Sequence, residues 1–250
     1  TVRNSGLEFA IDYKHTFENE LSLSLGYNVT FLNNEVLAVD NGTGFIEGGS
    51  FGVGQPAPSR MEVGKPIGYF FGYKTDGIFQ NQAEIDAHPS QLALVANAAP
   101  GDIRYVDVNG DGIINANDRT NIGDPIPSAT MGFNMQLNYK NLDFAVYTFA
   151  SVGNDMVRNY ERTLSDANRL NYVLDRWTGE GSTNATPRVT TGATSNNVFS
   201  DYFVEDASYI RIQNVQLGYT LSPTVSEKIG VSKFRIYTGV NNLYTFTKYK

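Results

Sequence analysis

Residues 21–31 read LSLSLGYNVTF. Leu21, Leu23, Leu25, Tyr27, Val29 and Phe31 share one parity, and Ser22, Ser24, Gly26, Asn28 and Thr30 share the other. A period of two held over about 11 residues predicts a strand. Its length matches the roughly 9–11 residues that a tilted strand needs to cross a bilayer. Strands of soluble sandwiches usually run to about five or six. Comparable alternation occurs over 7–14, 129–139, 142–151, 208–220 and 233–247. In 208–220 the apolar parity switches from Ile210 and Ile212 to Val215, Leu217 and Tyr219, which predicts a β-bulge or a change of environment along the strand.

The links between these segments alternate in length. Residues 15–20, 140–141 and 221–232 are short to moderate; roughly 33–128 and 152–207 are long. In an up-and-down arrangement this puts every short turn at one end and both long loops at the other, as in outer-membrane barrels. Compact soluble domains rarely carry loops of that length. Short helices are predicted inside the loops, at 81–88 and over 154–177, where Met156, Tyr160, Leu164, Leu170, Val173, Leu174 and Trp177 offer an apolar stripe. No run of about 18 apolar residues exists, so no helix spans a membrane, but hydropathy is blind to spanning strands. The expected fold is therefore all-β: a portion of an antiparallel up-and-down transmembrane β-barrel. It comprises about six long strands, an incomplete barrel, and two long extracellular loops containing short helices.

Composition narrows the function. The 250 residues could bury a sizeable core. A net charge of −7 with no Lys/Arg cluster argues against nucleic-acid binding. The absence of cysteine excludes disulfides and Cys-ligated zinc. Fifteen Tyr, 15 Phe and 24 Gly suit a β-rich chain with many turns. The chain starts at Thr1 and stops at Lys250 within a strand-like run, so a piece of a longer protein is expected.

One stretch carries metal chemistry. DVNGDGIINAND, residues 107–118, places acidic or amide side chains at its first, third, fifth, ninth and twelfth positions, with Gly112 at the sixth. That order matches a calcium loop, whose ligands come from alternate positions. Asp107, Asn109, Asp111 and Asp118 would supply side-chain oxygens and Ile113 its carbonyl, with Asn115 acting directly or through water. The twelfth residue is Asp rather than Glu, and the flanks GDIRYV and RTNIGDP do not read as helices, so an EF-hand switch is not expected. A structural Ca2+ site and a metal-free Asn/Asp/Gly turn network both fit this stretch. Catalysis finds no support. His15 and His88, the only histidines, lack a nucleophile partner. Glu161, Asp166, Glu205 and Asp206 have no spacing that singles out a glycosidase pair. The glycines of KPIGYFFGYKTDGIF do not follow the order of a phosphate loop.

Several stretches together resemble one family: VGKPIGYFFGYKTDGIFQ (63–80), PGDIRYVDVNGDGIINANDRTNIGDPIPSATMGFN (100–134), DRWTGEG (175–181), SDYFVEDASYIRIQNVQLGYTL (200–221), RIYTGVNNLYTFTKYK (235–250) and NSGLEFAIDYK (4–14). They resemble, in order, the C-terminal half of SusC/RagA-type TonB-dependent outer-membrane transporters. The resemblance implies a barrel wall in the outer membrane of a Gram-negative bacterium, with a plug and a TonB-contacting segment that this chain lacks. It implies a SusD-like lipoprotein partner, contact with the TonB complex through the missing N-terminal part, contact with outer-membrane lipid, and an oligosaccharide or oligopeptide substrate. Leu21, Leu23, Leu25, Val29 and Phe31 would face lipid, with Tyr27 and Tyr139 as girdle residues, and the polar faces would line the lumen. The rival reading is a soluble, calcium-braced β-sandwich that binds carbohydrate.

Overall fold

The computed structural model describes residues 1–52, 55–159 and 170–249. In chain order these residues form β1 (Val2–Thr16), β2 (Leu21–Val36), β3 (Phe45–Gly48), β4 (Ser59–Glu62), β5 (Tyr69–Gly72), β6 (Thr75–Ile78), α1 (Gln82–Asp86), β7 (Ile103–Tyr105), β8 (Thr120–Gly123), β9 (Ala129–Tyr139), β10 (Leu142–Val152), β11 (Asp155–Val157), β12 (Val204–Asp206), β13 (Tyr209–Thr220), α2 (Pro223–Lys228) and β14 (Arg235–Thr247). They make two compact units.

The first unit is one six-stranded sheet in the order β1-β2-β9-β10-β13-β14. β2 pairs with β9, β9 with β10, β10 with β13 and β13 with β14, each antiparallel. The sheet is open, because β1 and β14 each have a single neighbour. Residues 17–20, 140–141 and 221–234 close one end, and both long excursions leave from the other. The tightest closure is the Lys140-Asn141 turn, where Lys140 adopts φ +53°, the left-handed backbone that two-residue hairpins use.

The switch of parity in β13 is a bulge. Tyr147 of β10 pairs with Asn214, but Thr148 pairs with Ile212, so Gln213 is the extra residue. A second irregularity lies opposite, where Ile212 pairs with Tyr244 and Asn214 with Asn241. Asn242 takes φ +51° between them. The bulge keeps Ile210 and Ile212 on the same face as Val215, Leu217 and Tyr219.

The second unit collects the long excursions. β3, β4, β5 and β8 form a small sheet, β6 pairs with β7, and β11 with β12. Two apolar clusters hold it together. One contains Tyr73, Ile103, Tyr105, Ile114 and Val198, and the other Phe51, Phe70, Phe199 and Phe203. Arg60 packs against two aromatic faces, 4.0 Å from the Phe45 centroid and 3.5 Å from that of Phe71.

The short helix expected at 81–88 is α1, capped by the Asn81 side chain, which accepts from the Glu84 amide. The helix expected over 154–177 is corrected by the residues on either side of its centre. Asp155–Val157 is a strand, its flanks tied by Asp155 N–H to the Asp124 carbonyl (2.6 Å) and Arg158 N–H to the Phe203 carbonyl (2.7 Å). Asn171–Asp175 is a single 3₁₀ turn. Met156, Leu170 and Leu174 of the supposed stripe are exposed. Residues 160–169, with Tyr160 and Leu164 of that stripe and with Glu161 and Asp166, lie outside the described residues.

Candidate functional site

The large sheet has two chemically opposite faces. Register places Leu25 beside Met135, Met135 beside Val146, Val146 beside Val215, and Val215 beside Val240. The neighbouring rows run Leu23, Leu137, Phe144, Leu217 and Leu21, Tyr139, Leu142, Tyr219, Ile236. This face is apolar across the sheet and much of it is uncovered: Leu7 is 65% exposed, Ile11 68% and Ile236 60%. An apolar surface of that extent marks a contact with something other than water.

The opposite face is rich in amides, hydroxyls and small residues. One row runs Asn134, Tyr147, Asn214, Asn241 and another Gln136, Ala145, Gln216, Gly239. Gln136 donates to the Tyr147 hydroxyl (2.8 Å), and Asn214 donates to the Asn241 side-chain oxygen (2.8 Å). Arg235 of β14 reaches across β13 to Asp143 of β10, with nitrogen–oxygen distances of 3.1 and 2.6 Å. Gly218 lies in its path: a Cβ there would stand 2.5 Å from the Arg235 Nη2 and from both Asp143 carboxylate oxygens.

The 107–118 loop folds into a tight set of turns. The Asp107 carboxylate accepts from the Gly110 (2.7 Å) and Gly112 (2.8 Å) amides. Asn109 accepts from the Asp111 amide and donates to its carboxylate, and Asp111 accepts from the Ile113 amide. The Ile113 carbonyl receives the Asn115 side chain (3.2 Å). Gly110 and Gly112 adopt φ of +76° and +84°. Asp118 is fully buried and accepts from the Val108, Asn109 and Asn115 amides. Bonds from the Gly112 amide, opposed by a smaller burial effect and helped by the Gly110 amide, hold the Asp107 carboxyl below the usual carboxylate range. The loop is pinned to Ser90 through the Ile114 amide (2.8 Å), and Ile114 enters the first apolar cluster. The structure thus brings Asp107, Asn109, Asp111, Ile113 and Asp118 onto one turn, with their oxygens engaged by the loop's own N–H groups. Among the described residues no group of three or more His, Cys, Asp or Glu side chains is arranged to hold a metal ion.

The most developed polar cluster was not singled out by the sequence reading. Asp102 is 1% exposed. Arg188 binds it through both carboxylate oxygens, at 2.7 and 3.0 Å. Asn196 (2.9 Å), Thr194 (3.3 Å) and the Ala99 amide (2.9 Å) complete its shell. Asn196 also accepts from the Ile103 amide (2.8 Å). Nearby, Tyr105 is fully buried and donates to the Ser195 carbonyl (2.7 Å), and burial raises its pKa far above that of a free phenol. Arg188 lies 86 residues from Asp102, a separation at which no local motif signals the pair. Beside the cluster is a groove of about 230 Å3 lined by the 3₁₀ turn at 171–175, residues 186–197 and Tyr202. Of the two histidines, His15 is exposed and stacks with Tyr13, while His88 lies edge-on to Phe79 with its Nδ1 2.9 Å from the Pro89 carbonyl.

No family model matches the chain. Its relatives are nonetheless consistent. It is 30% identical to TonB-dependent receptor P3 of Formosa agariphila over 249 residues, 99% of this chain and 24% of that protein. It is 28% identical to TonB-dependent receptor SusC of Bacteroides thetaiotaomicron over 256 residues, all of this chain and 24% of SusC. The RagAB peptide transporter structure shares its fold at a TM-score of 0.76 and 19% identity, covering 99% of this chain and 26% of that one. The chain spans about a quarter of the length of the curated relatives it matches. These relatives are receptors and transporters, not enzymes.

Proposed function

From its whole-length homology to TonB-dependent receptors of the SusC type, we propose that the chain is barrel wall and loops of an outer-membrane active importer in a Gram-negative bacterium. The observation that carries this reading is the two-faced sheet. Its strands of 11 to 16 residues are long enough to cross a bilayer when tilted. One face offers apolar side chains to lipid and the other amides and hydroxyls to a lumen. A soluble sandwich would have to cover the apolar face with a second sheet. Among the described residues the remaining sheets are small and built from strands of three or four residues. In the complete protein, energy from the TonB complex would drive uptake of an oligosaccharide or oligopeptide captured with a SusD-like surface lipoprotein. The chemistry is binding and gating. The test is uptake of labelled oligosaccharides and peptides by cells carrying the intact gene, against cells lacking that gene or TonB. TonB-dependent uptake of either class supports the reading, and uptake unaffected by both deletions removes it.

A second proposal concerns calcium. Asp107, Asn109, Asp111, the Ile113 carbonyl and Asp118 are already folded onto one turn. A carboxylate oxygen that accepts one N–H keeps a further lone pair, so an ion drawn into the turn could share these oxygens. All donors are oxygen, and the ligand spacing suits the larger, more flexible shell of calcium rather than that of magnesium. The ion would brace the loop and take no part in chemistry. Calorimetry and hydrogen exchange of the full-length protein during calcium titration test this. If millimolar calcium gives neither heat nor protection over 100–125, the loop is a turn network alone.

A further inference from the structure

We propose that the short-turn end of the large sheet's apolar face holds one membrane glycerophospholipid, with an acyl chain in a groove of the wall and the phosphodiester on Lys140. This inference rests on the membrane reading above.

A groove of about 420 Å3 opens on the apolar face where β2, β9, β10 and β13 run side by side. Leu21, Leu137, Leu142, Phe144 and Leu217 line it, together with Asn19 and Tyr139. Register sets the strand residues in the two rows nearest the Lys140-Asn141 turn: Leu21, Tyr139 and Leu142 in one, Leu137, Phe144 and Leu217 in the other. Leu142 and Leu217 keep 46% and 47% of their surface. An apolar groove open on one side suits a hydrocarbon chain. β1 and β14 stand between these rows and the two open edges of the sheet, so strands added at those edges would leave the groove uncovered.

Polar groups mark its turn end. Lys140 is exposed at the tip of the turn, and its ammonium lies 5.3 Å from the centroid of the Tyr139 ring. Tyr139 belongs to the apolar row, so this contact draws the ammonium to the lipid side of the turn. The ammonium makes no hydrogen bond or ion pair to any described residue, and Glu20, which precedes Leu21 in the adjoining turn, does not pair with it. The Asn19 side-chain oxygen accepts from the Leu21 amide (3.3 Å), but its NH2 group and the Tyr139 hydroxyl donate to no described residue. A cation and two neutral donors at the rim of an apolar groove complement an anion joined to a hydrocarbon chain. A free phosphate would leave the groove empty, and a neutral lipid would leave the ammonium unused. Short turns of an outer-membrane barrel lie on the periplasmic side, which assigns the lipid to that leaflet.

The experiment uses the full-length protein, delipidated in detergent, and two variants. Lys140→Asn removes the ammonium and keeps a residue that tolerates the φ of +53°. Leu217→Trp fills the groove and keeps the face apolar. Heat-modifiable migration on gels checks that each folds. Native mass spectrometry measures binding of phosphatidylglycerol and of diacylglycerol, the comparator without phosphate. Wild type should retain one phosphatidylglycerol in preference to diacylglycerol. Lys140→Asn should weaken phosphatidylglycerol about fivefold, what one lysine contributes beside anionic lipid, and leave diacylglycerol unchanged. Leu217→Trp should weaken both. Unchanged phosphatidylglycerol binding by either folded variant, or equal retention of the two lipids by wild type, overturns the site and leaves the import reading intact. Should one variant fail to fold, the other and the wild-type preference decide. Import itself fails on the TonB-dependence experiment, which involves neither residue.

Discussion

Replacing Asp102 with Ala should loosen the loop unit locally and leave the large sheet unchanged. Asp102 is 1% exposed, and its partner Arg188 keeps 25% of its side-chain surface. Removing one member of a buried ion pair costs about 3–5 kcal/mol, because the other charge is stranded. The stranded guanidinium of Asp102→Ala can still turn to water, which places that variant near the lower limit, about 3 kcal/mol. Such a loss raises local opening about 10²-fold. Arg188→Ala should be the costlier of the two, since it leaves the deeper charge with only Asn196, Thr194 and the Ala99 amide. Hydrogen exchange of the full-length protein, followed over 99–105 and 186–198 with β9 and β10 as internal reference, reads both variants. The reasoning is refuted if Asp102→Ala leaves exchange within about 0.5 kcal/mol of wild type, the range of ordinary surface changes. It is also refuted if Arg188→Ala is the milder variant.

Three further expectations concern other parts of the chain. Deleting Gln213 should preserve folding, because it removes the bulge residue and keeps the pairing of Ile212 and Asn214 with β10. Deleting Gln216 should impair folding, because it turns Asn214 to the apolar face, at a cost of several kcal/mol for an unpaired polar group; heat-modifiable migration of the full-length barrel on gels separates the two. Gly218→Val should push Arg235 from Asp143, with only a small loss of stability because the pair is open to solvent, measured by urea unfolding in vesicles. The Asp107 carboxyl has a depressed folded pKa, so its stabilisation is present above the ordinary Asp range and is lost as pH falls through the folded value. Amide protection at Gly110 and Gly112 should therefore hold at neutral pH and disappear in acid, whereas Asp107→Asn should show the weakened protection already at neutral pH.

The sequence by itself determined the wall. Strict alternation over 21–31 and 129–139 encodes two faces in two environments, and side chains on a strand have no other period. The parity switch between Ile212 and Val215 marked either a bulge or a change of environment, and the strand register decided for the bulge, since one extra residue is the smallest change that keeps both halves facing one way. The 107–118 loop was legible as a turn because glycine, Asn and Asp direct their own backbone. Whether those side chains hold an ion depends on where the oxygens aim, which spacing does not state. The two described ends of the 154–177 region misled because apolar residues at helical intervals do not by themselves make a helix. Tertiary structure alone decided that Asp155–Val157 joins β12 instead. It alone brought Asp102 to Arg188 and Asn196, and Asp143 to Arg235 across Gly218. Those contacts close over 86 to 94 residues of chain, a range at which local propensity carries no information and only the packing of the completed sheets and clusters selects the partner.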